Sequence, residues 1–319
     1  MTRKRVDRLE TALFEQYSDR SLFLHRSLKS VGTDQIVEEV TRLSDGDYKW
    51  DLPELNISGK ANQYLTKRKI KKVLVFCHPS VIAGCPHLIL YYRNVVGLTQ
   101  KGVSKLAAGT GEFERGARTE LSADRAVLIA RVLNGIMSNI ITADVTFEGR
   151  DIVRNLIASL GITLDGSWRN KVGEKATKEV KLLFATYLKE RKLLKKAGKS
   201  SLALKEGIEV RFASDPDVAV YAPGKKLVAA IEIKGGIDDA GALERYGAAR
   251  KSFDKARRAN VRCHTIYLAS CITKAVRDRI EQDGLVSEIQ DLLEIQSNPK
   301  KARKFLDDLF NHVVRVQTN

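Results

Sequence analysis

A chain of 319 residues with 43% hydrophobic and 29% charged side chains can bury a sizeable core and is expected to form two domains. Its formal charge of +16, from 55 Lys and Arg against 39 Asp and Glu, points to a polyanionic partner, a nucleic acid before an anionic membrane surface. Four cysteines give no disulfide framework, the charged stretch Met1–Arg8 does not read as a secretory signal, and the apolar run from Val73 to Tyr92 is broken by His78, Pro79, Pro86 and His87. No membrane contact and a reducing cytoplasm are expected.

In chain order, Arg5 to Leu43 carries Leu9, Leu13, Phe14, Tyr17, Ile36, Val37, Val40 and Leu43 at helical spacing, and Ser44 to Gly59 is loop-like. A basic run, Lys67–Lys72, follows. Cys77-His78 and Cys85-Pro86-His87 match no standard zinc spacing and read as ordinary loop residues. Leu98-Thr-Gln-Lys-Gly-Val-Ser-Lys-Leu-Ala107 resembles the first helix of a helix-turn-helix, but the next segment, Gly109 to Gly116, has too many glycines and acids for a recognition helix. The preferred reading of residues 1–150 is a mainly helical DNA-binding or accessory region. It would turn Lys101, Lys105, Arg115 and Arg118 toward a phosphate backbone, and a long helix would start at Ser122.

Residues 151–319 read as an α/β domain. Ile152 to Leu160 is amphipathic, Gly161 to Asn170 is a turn-rich joint, and a helix from Val172 to about Lys196 carries Ala176, Val180, Leu183, Phe184 and Tyr187 on one face. Its basic tail should end in a flexible Gly-Lys-Ser-Ser loop. Gly207–Phe212 is a strand, and a hairpin follows. A helix then runs to Asn260, a strand covers Val261–Ser270, and helices over 285–295 and 299–316 close the chain. The sum is a mixed sheet with helices on both sides.

The hairpin carries the chemistry. Its strands end near Tyr221 and start near Lys226, joined by Ala222-Pro-Gly-Lys225. Alternation puts Glu232 and Lys234 on one face, and closure at the turn brings Asp215 or Asp217 across from or diagonal to Glu232. Two carboxylates and a lysine on one sheet face suit a hard divalent cation and an activated water. Hairpin register alone leaves Asp215 and Asp217 both open.

Pro216-Asp217, fourteen intervening residues and Glu232-Ile-Lys234 resemble the active-site motif of the PD-(D/E)XK nuclease superfamily. The stretch Glu232-Ile-Lys-Gly-Gly-Ile-Asp-Asp-Ala-Gly-Ala-Leu-Glu-Arg-Tyr, with Tyr91-Tyr-Arg-Asn-Val-Val-Gly-Leu-Thr-Gln-Lys-Gly102 upstream, is similar to the XcyI family of type II restriction endonucleases. That resemblance implies a Mg²⁺-dependent enzyme of the restriction-endonuclease-like α/β fold. It would act as a homodimer on a palindromic GC-rich DNA site, CCCGGG cut after the first C to leave 5′-phosphate ends, beside a cognate methyltransferase. Asp217, Glu232 and the Ile233 carbonyl would hold the metal, with Lys234 orienting the attacking water. Many such enzymes add a glutamate from the preceding helix. Thr177 stands where it would fall, and Glu174, one turn earlier, is the candidate replacement. Lys251 and Lys255, on the helix behind the motif, would contact phosphates. The rival readings are a repair or recombination nuclease of the same fold and a helix-turn-helix regulator without catalysis.

Overall fold

The computed structural model describes residues 3–316. The chain divides into two compact units, residues 21–167 and residues 168–319 together with 1–20. Helix α1 (Arg3–Val31) starts the chain.

The unit of residues 21–167 is helical, with α2 (Thr33–Arg42), α3 (Gly59–Arg68), α4 (Pro79–Gly84), α5 (Ile89–Val95), α6 (Gln100–Leu106), α7 (Gly111–Glu114) and α8 (Ala123–Ala143). Its centre is α8, whose Ala126, Ile129, Ala130, Leu133, Met137 and Ile141 repeat at helical spacing and are buried. By length and apolarity α8 could cross a membrane, but its buried polar groups are tied into this unit. The Asn134 amide donates to the carbonyls of Leu55 and Cys77 and accepts the Cys77 N–H, and Ser138 Oγ accepts the Ser58 N–H. The Cys–His pairs are spent separately: Cys77 is buried, His78 caps α4 by accepting the Ser80 N–H, and His87 pairs with Glu39 at 2.9 Å. The helix-turn-helix resemblance stops at α6, because α7 is a single turn and offers no second helix to enter a groove.

Helix α9 (Gly149–Glu190) replaces the expected helix, joint and helix with 42 continuous residues. Gly161, Gly166 and Gly173 lie inside it, and a Cβ at any of them would meet nothing within 4 Å. An interior glycine costs about 1 kcal/mol against alanine but keeps its N–H, so three of them weaken a helix without breaking it. The helix also ends earlier than its lysine-rich tail suggested. Lys192 takes a positive φ of 55°, and β1 (Leu194–Ala197) stands where the helix tail was expected, joined to β2 (Ser201–Leu204) by a turn at the expected Gly198-Lys-Ser-Ser loop. Leu202 and Leu204 are buried, and that apolar pair decides the strand over the surrounding lysines.

Five further strands, β3 (Glu209–Phe212), β4 (Val218–Ala222), β5 (Lys226–Lys234), β6 (His264–Ala269) and β7 (Glu288–Asp291), complete one seven-stranded sheet in sequential order. It is antiparallel from β1 to β5 and parallel from β5 to β7. The remaining helices are α10 (Ala242–Ala259), α11 (Lys274–Asp283), α12 (Leu292–Ser297) and α13 (Pro299–Asp307), with a π-helical turn over Asp308–Val314. Val218, Val220, Ile231, Ile233 and Leu268 share a core with Phe184 of α9 and Phe305 of α13. Tyr267 and Ala269, on the opposite face, join Tyr246 and Phe253 of α10 and Val276 of α11. This is the mixed sheet flanked by helices that the restriction-endonuclease-like fold requires. The helix expected over 285–295 is instead β7 followed by α12, because pairing with β6 overrides a short apolar pattern that fits either period.

Candidate active site

The site forms where β5 outruns its neighbour. Pairing between β4 and β5 stops at Val218 opposite Ile231, while β6 stays paired with β5 as far as Ala269 opposite Lys234. The last three residues of β5 therefore have a strand along one edge only, and the Asp217 side chain serves the other edge. Asp217 Oδ2 accepts the Ile233 N–H at 2.8 Å and the Lys234 ammonium at 3.1 Å. The same ammonium donates to Glu232 Oε2 at 2.5 Å. N–H and C=O groups alternate edges along a strand, so the Ile233 carbonyl faces the Asp217 edge. The Lys234 carbonyl faces the other way and accepts the Ser270 N–H at 2.9 Å.

Glu232 is 4% exposed. Burial pushes its carboxyl above the usual range; Lys234 opposes this and the Asp217 charge adds to it. For Lys234, burial favours the neutral amine, but the Glu232 and Asp217 charges outweigh it and hold the ammonium above its ordinary value. Two carboxylates and one ammonium leave a net negative charge in a half-closed site. Asp217 Oδ2 and Glu232 Oε2 both accept from the Lys234 ammonium, so the two carboxylates converge on one cationic point. Hard oxygen donors around a spot already filled by a cation suit Mg²⁺, which takes few protein carboxylates and completes its shell with phosphate and water. Among the described residues no three His, Cys, Asp or Glu side chains cluster as a metal site, so any metal here rests on two carboxylates and backbone.

Asp215 sits elsewhere. Its Oδ2 accepts from Lys255 of α10 at 2.9 Å, and that ammonium holds the Asp215 carboxyl below the usual range. Of the two carboxylates that the hairpin register leaves open, the structure places Asp217 beside Lys234, which also contacts Glu232. Glu174 is exposed. It lines a cavity of about 570 Å³ with Gln16, Gly235 and Ser270, and makes no hydrogen bond or ion pair with the three. Lys101, Lys105, Arg118 and Lys251 are exposed, and Lys255 is exposed but paired.

Three features of the surroundings escaped sequence reasoning. Gly235 packs so closely on α9 that a Cβ there would lie 2.7 Å from Ala176 Cβ and 3.1 Å from the Val172 carbonyl oxygen. Gln16 of α1 donates to the Gly235 carbonyl at 3.2 Å. Tyr267, in register with Glu232, buries a hydroxyl that has no hydrogen-bond partner among the described residues. The glycine pair after Lys234 and a tyrosine inside an apolar strand were the available signals. Nothing in the sequence placed Gln16.

The family model for the XcyI restriction endonuclease matches residues 29–283. The type II restriction enzyme XcyI of Xanthomonas campestris pv. cyanopsidis is 25% identical over 225 residues, 63% of this chain and 65% of that protein. The alignment spans slightly under two thirds of that relative's length. With the family pattern running through more than half of the chain and across the whole hairpin, this protein belongs to the XcyI restriction endonuclease family.

Proposed function

We propose that this chain is a Mg²⁺-dependent type II restriction endonuclease with a PD-(D/E)XK site. It would cut double-stranded DNA at a palindromic GC-rich sequence, CCCGGG after its first C, leaving 5′-phosphate ends. The observation that carries the reading is the convergence of Asp217, Glu232 and Lys234 where β5 runs past β4. Family membership and the charge of +16 supply the polyanionic substrate.

Asp217, Glu232 and the Ile233 carbonyl would hold the cation. When bound, Mg²⁺ supplies charge neutralisation at the scissile phosphate and acidifies an attacking water. Lys234, kept protonated by its two carboxylates, orients that water and favours its hydroxide form. A palindromic target read by one polypeptide implies a twofold homodimer, each subunit cutting one strand. A cytosine methyltransferase of the same system would protect the host DNA, and a cytoplasmic location follows from that substrate.

Plasmid DNA incubated with the protein and Mg²⁺ should give discrete bands, and sequencing of the ends should return one palindrome. Glu232→Ala and Lys234→Ala should each abolish cleavage while leaving duplex binding in Ca²⁺ largely intact. A smear, or cuts confined to junctions, would replace site-specific cleavage with a structure-specific nuclease. Wild-type rates from either variant would remove the hairpin from the active site.

A further inference from the structure

The helical unit holds a buried ion pair that the chemistry above does not use. Arg93 of α5 and Glu114 of α7 are each 1% exposed in their side chains and meet at 2.8 Å. Arg93 Nε donates to Glu114 Oε1 and Nη2 to Oε2, a bidentate fork, while Nη1 donates to the Leu98 carbonyl at 2.6 Å. Thr110 Oγ1 donates to Oε1 at 2.6 Å and Gln100 Nε2 to Oε2 at 2.9 Å. One carboxylate therefore fastens α5, the start of α6 and both ends of the Thr110–Glu114 turn. Burial pushes the Glu114 carboxyl up, and Arg93, with Gln100 and Thr110, more than reverses this and leaves it below its ordinary value.

Such a pair adds little net stability, because desolvating both charges offsets their attraction; its best-attested use is to set geometry. What it sets here is a segment whose outer side carries Lys101, Lys105, Arg115, Arg118 and the half-buried Arg125 against the exposed acids Glu112, Glu120 and Asp124, a modest cationic excess. Lys101 and Lys105 lie one turn apart on α6 and are exposed. The Arg118 and Arg125 guanidinium groups lie 5.4 and 5.2 Å from the centre of the buried Phe113 ring, and Arg125 Nη2 donates to the Gly109 carbonyl at 2.7 Å. Glu114 is neutralised inside by Arg93, so of the segment's four acids only Glu112, Glu120 and Asp124 face outward against its cations.

We propose that residues 98–125 form a phosphate-backbone contact surface for duplex DNA, held in shape by the Arg93–Glu114 pair, with Lys101, Lys105 and Arg118 as its contacts. Backbone contact fits better than base reading for two reasons. α6 and α7 are too short to run along a major groove. The amide best suited to read adenine, Gln100, is already spent on Glu114. The inference rests on the nuclease reading for its choice of DNA as the polyanion.

The test uses the full chain, with Ca²⁺ in place of Mg²⁺, and two labelled duplexes: one carrying the cut site mapped from the plasmid digest, one lacking it. Lys101→Ala/Lys105→Ala and Arg118→Ala change exposed side chains and should fold normally. The double variant should weaken both duplexes alike and lower the slope of log K against log salt by about 1.8, at ~0.9 per lost phosphate contact. Arg93→Lys keeps the charge but loses the fork; it should weaken both duplexes about tenfold, the size of one lost charge-assisted contact, with an unchanged circular dichroism spectrum. Wild-type binding and salt slope in the surface variants would overturn the proposal. So would a loss confined to the site-containing duplex, which would mark base readers. If the wild-type protein binds DNA but cuts nothing, the nuclease reading fails while this surface stands.

Discussion

The contact between Gly235 and α9 gives the most direct handle on how the site is held. In Gly235→Ala the new Cβ would fall 2.7 Å from Ala176 Cβ and 3.1 Å from the Val172 carbonyl oxygen. Neither is the loose end of a long side chain, so the strand end or the helix must move. Overpacking of this kind costs about 1–3 kcal/mol. A unit of this size then melts roughly 2–4 °C lower for each kcal/mol. The functional loss should exceed the structural one, because Gly235 follows Lys234 and a 1 Å displacement of a positioning group costs about 10²-fold in rate. Ala176→Gly removes the closer of the two contacts at a helix cost of about 1 kcal/mol. The double variant should then be more stable than the two singles predict by about 1–2 kcal/mol. Urea unfolding of all four proteins measures that coupling, and single-turnover cleavage of the mapped site measures the rate. Additive stabilities, or an alanine variant that cleaves like wild type, would show that the strand end is not seated against α9 as described.

Three other outcomes follow from the same geometry. Asp215→Asn should leave cleavage intact and tighten binding of any duplex, because it frees Lys255 from an exposed pair worth at most ~1 kcal/mol; loss of cleavage on titrating the variant with Mg²⁺ would make Asp215 the metal ligand. The folded Glu232 carboxyl sits above its unfolded value, near 4.5, so between the two values the folded chain holds a proton that the unfolded one has released. That contribution to stability is lost as pH rises through the window, whereas Ca²⁺ affinity, followed by calorimetry, should fall as pH drops through it; Asp217→Asn removes a charge that raises the carboxyl and should shift the window down, and a pH-independent affinity would exclude Glu232 as a ligand. Gly161→Ala and Gly166→Ala should each stabilise α9 by about 0.5–1 kcal/mol, since open space surrounds both positions, and a destabilised variant on thermal melting would restore the turn-rich joint.

The parts of this fold that were legible in the sequence are those where one period dominates. β4 and β5 are apolar runs on either side of a Pro-Gly turn, and Ile231-Glu-Ile-Lys234 alternates, so the hairpin and the shared face of Glu232 and Lys234 could be read directly. The α8 stripe is equally regular. Reading failed where local preference and tertiary pairing disagree. Gly161 and Gly166 look like a joint because the sequence does not show that the backbone of α9 keeps its hydrogen bonds around them. The lysines of β1 and the glutamate and glutamine of β7 hide strands whose only strong argument is a neighbouring strand. α11 was missed because only Val276 and Ile280 are buried along its length. Within the site, the different surroundings of Asp215 and Asp217 were not legible, because the partner of Asp215, Lys255, lies forty residues away on α10.

The position of the site follows from the sheet's change of direction. Among the described strands, β5 is the one with an antiparallel neighbour on one edge and a parallel neighbour on the other. A hairpin partner ends where its turn geometry ends it, and a parallel partner arrives through α10 with its own register, so the two edges of β5 have no reason to stop together. They differ by three residues, Glu232 to Lys234, which leaves backbone groups facing no strand at the carboxyl end of a central strand. Open α/β sheets place ligands at such ends, where the connectivity changes sense. Here the uncovered edge must be satisfied by something polar, and Asp217 does so while aiming its carboxylate at the lysine two positions from Glu232. The same residue, just ahead of β4, therefore finishes the exposed edge of β5 and, in the function proposed above, would complete the cation site.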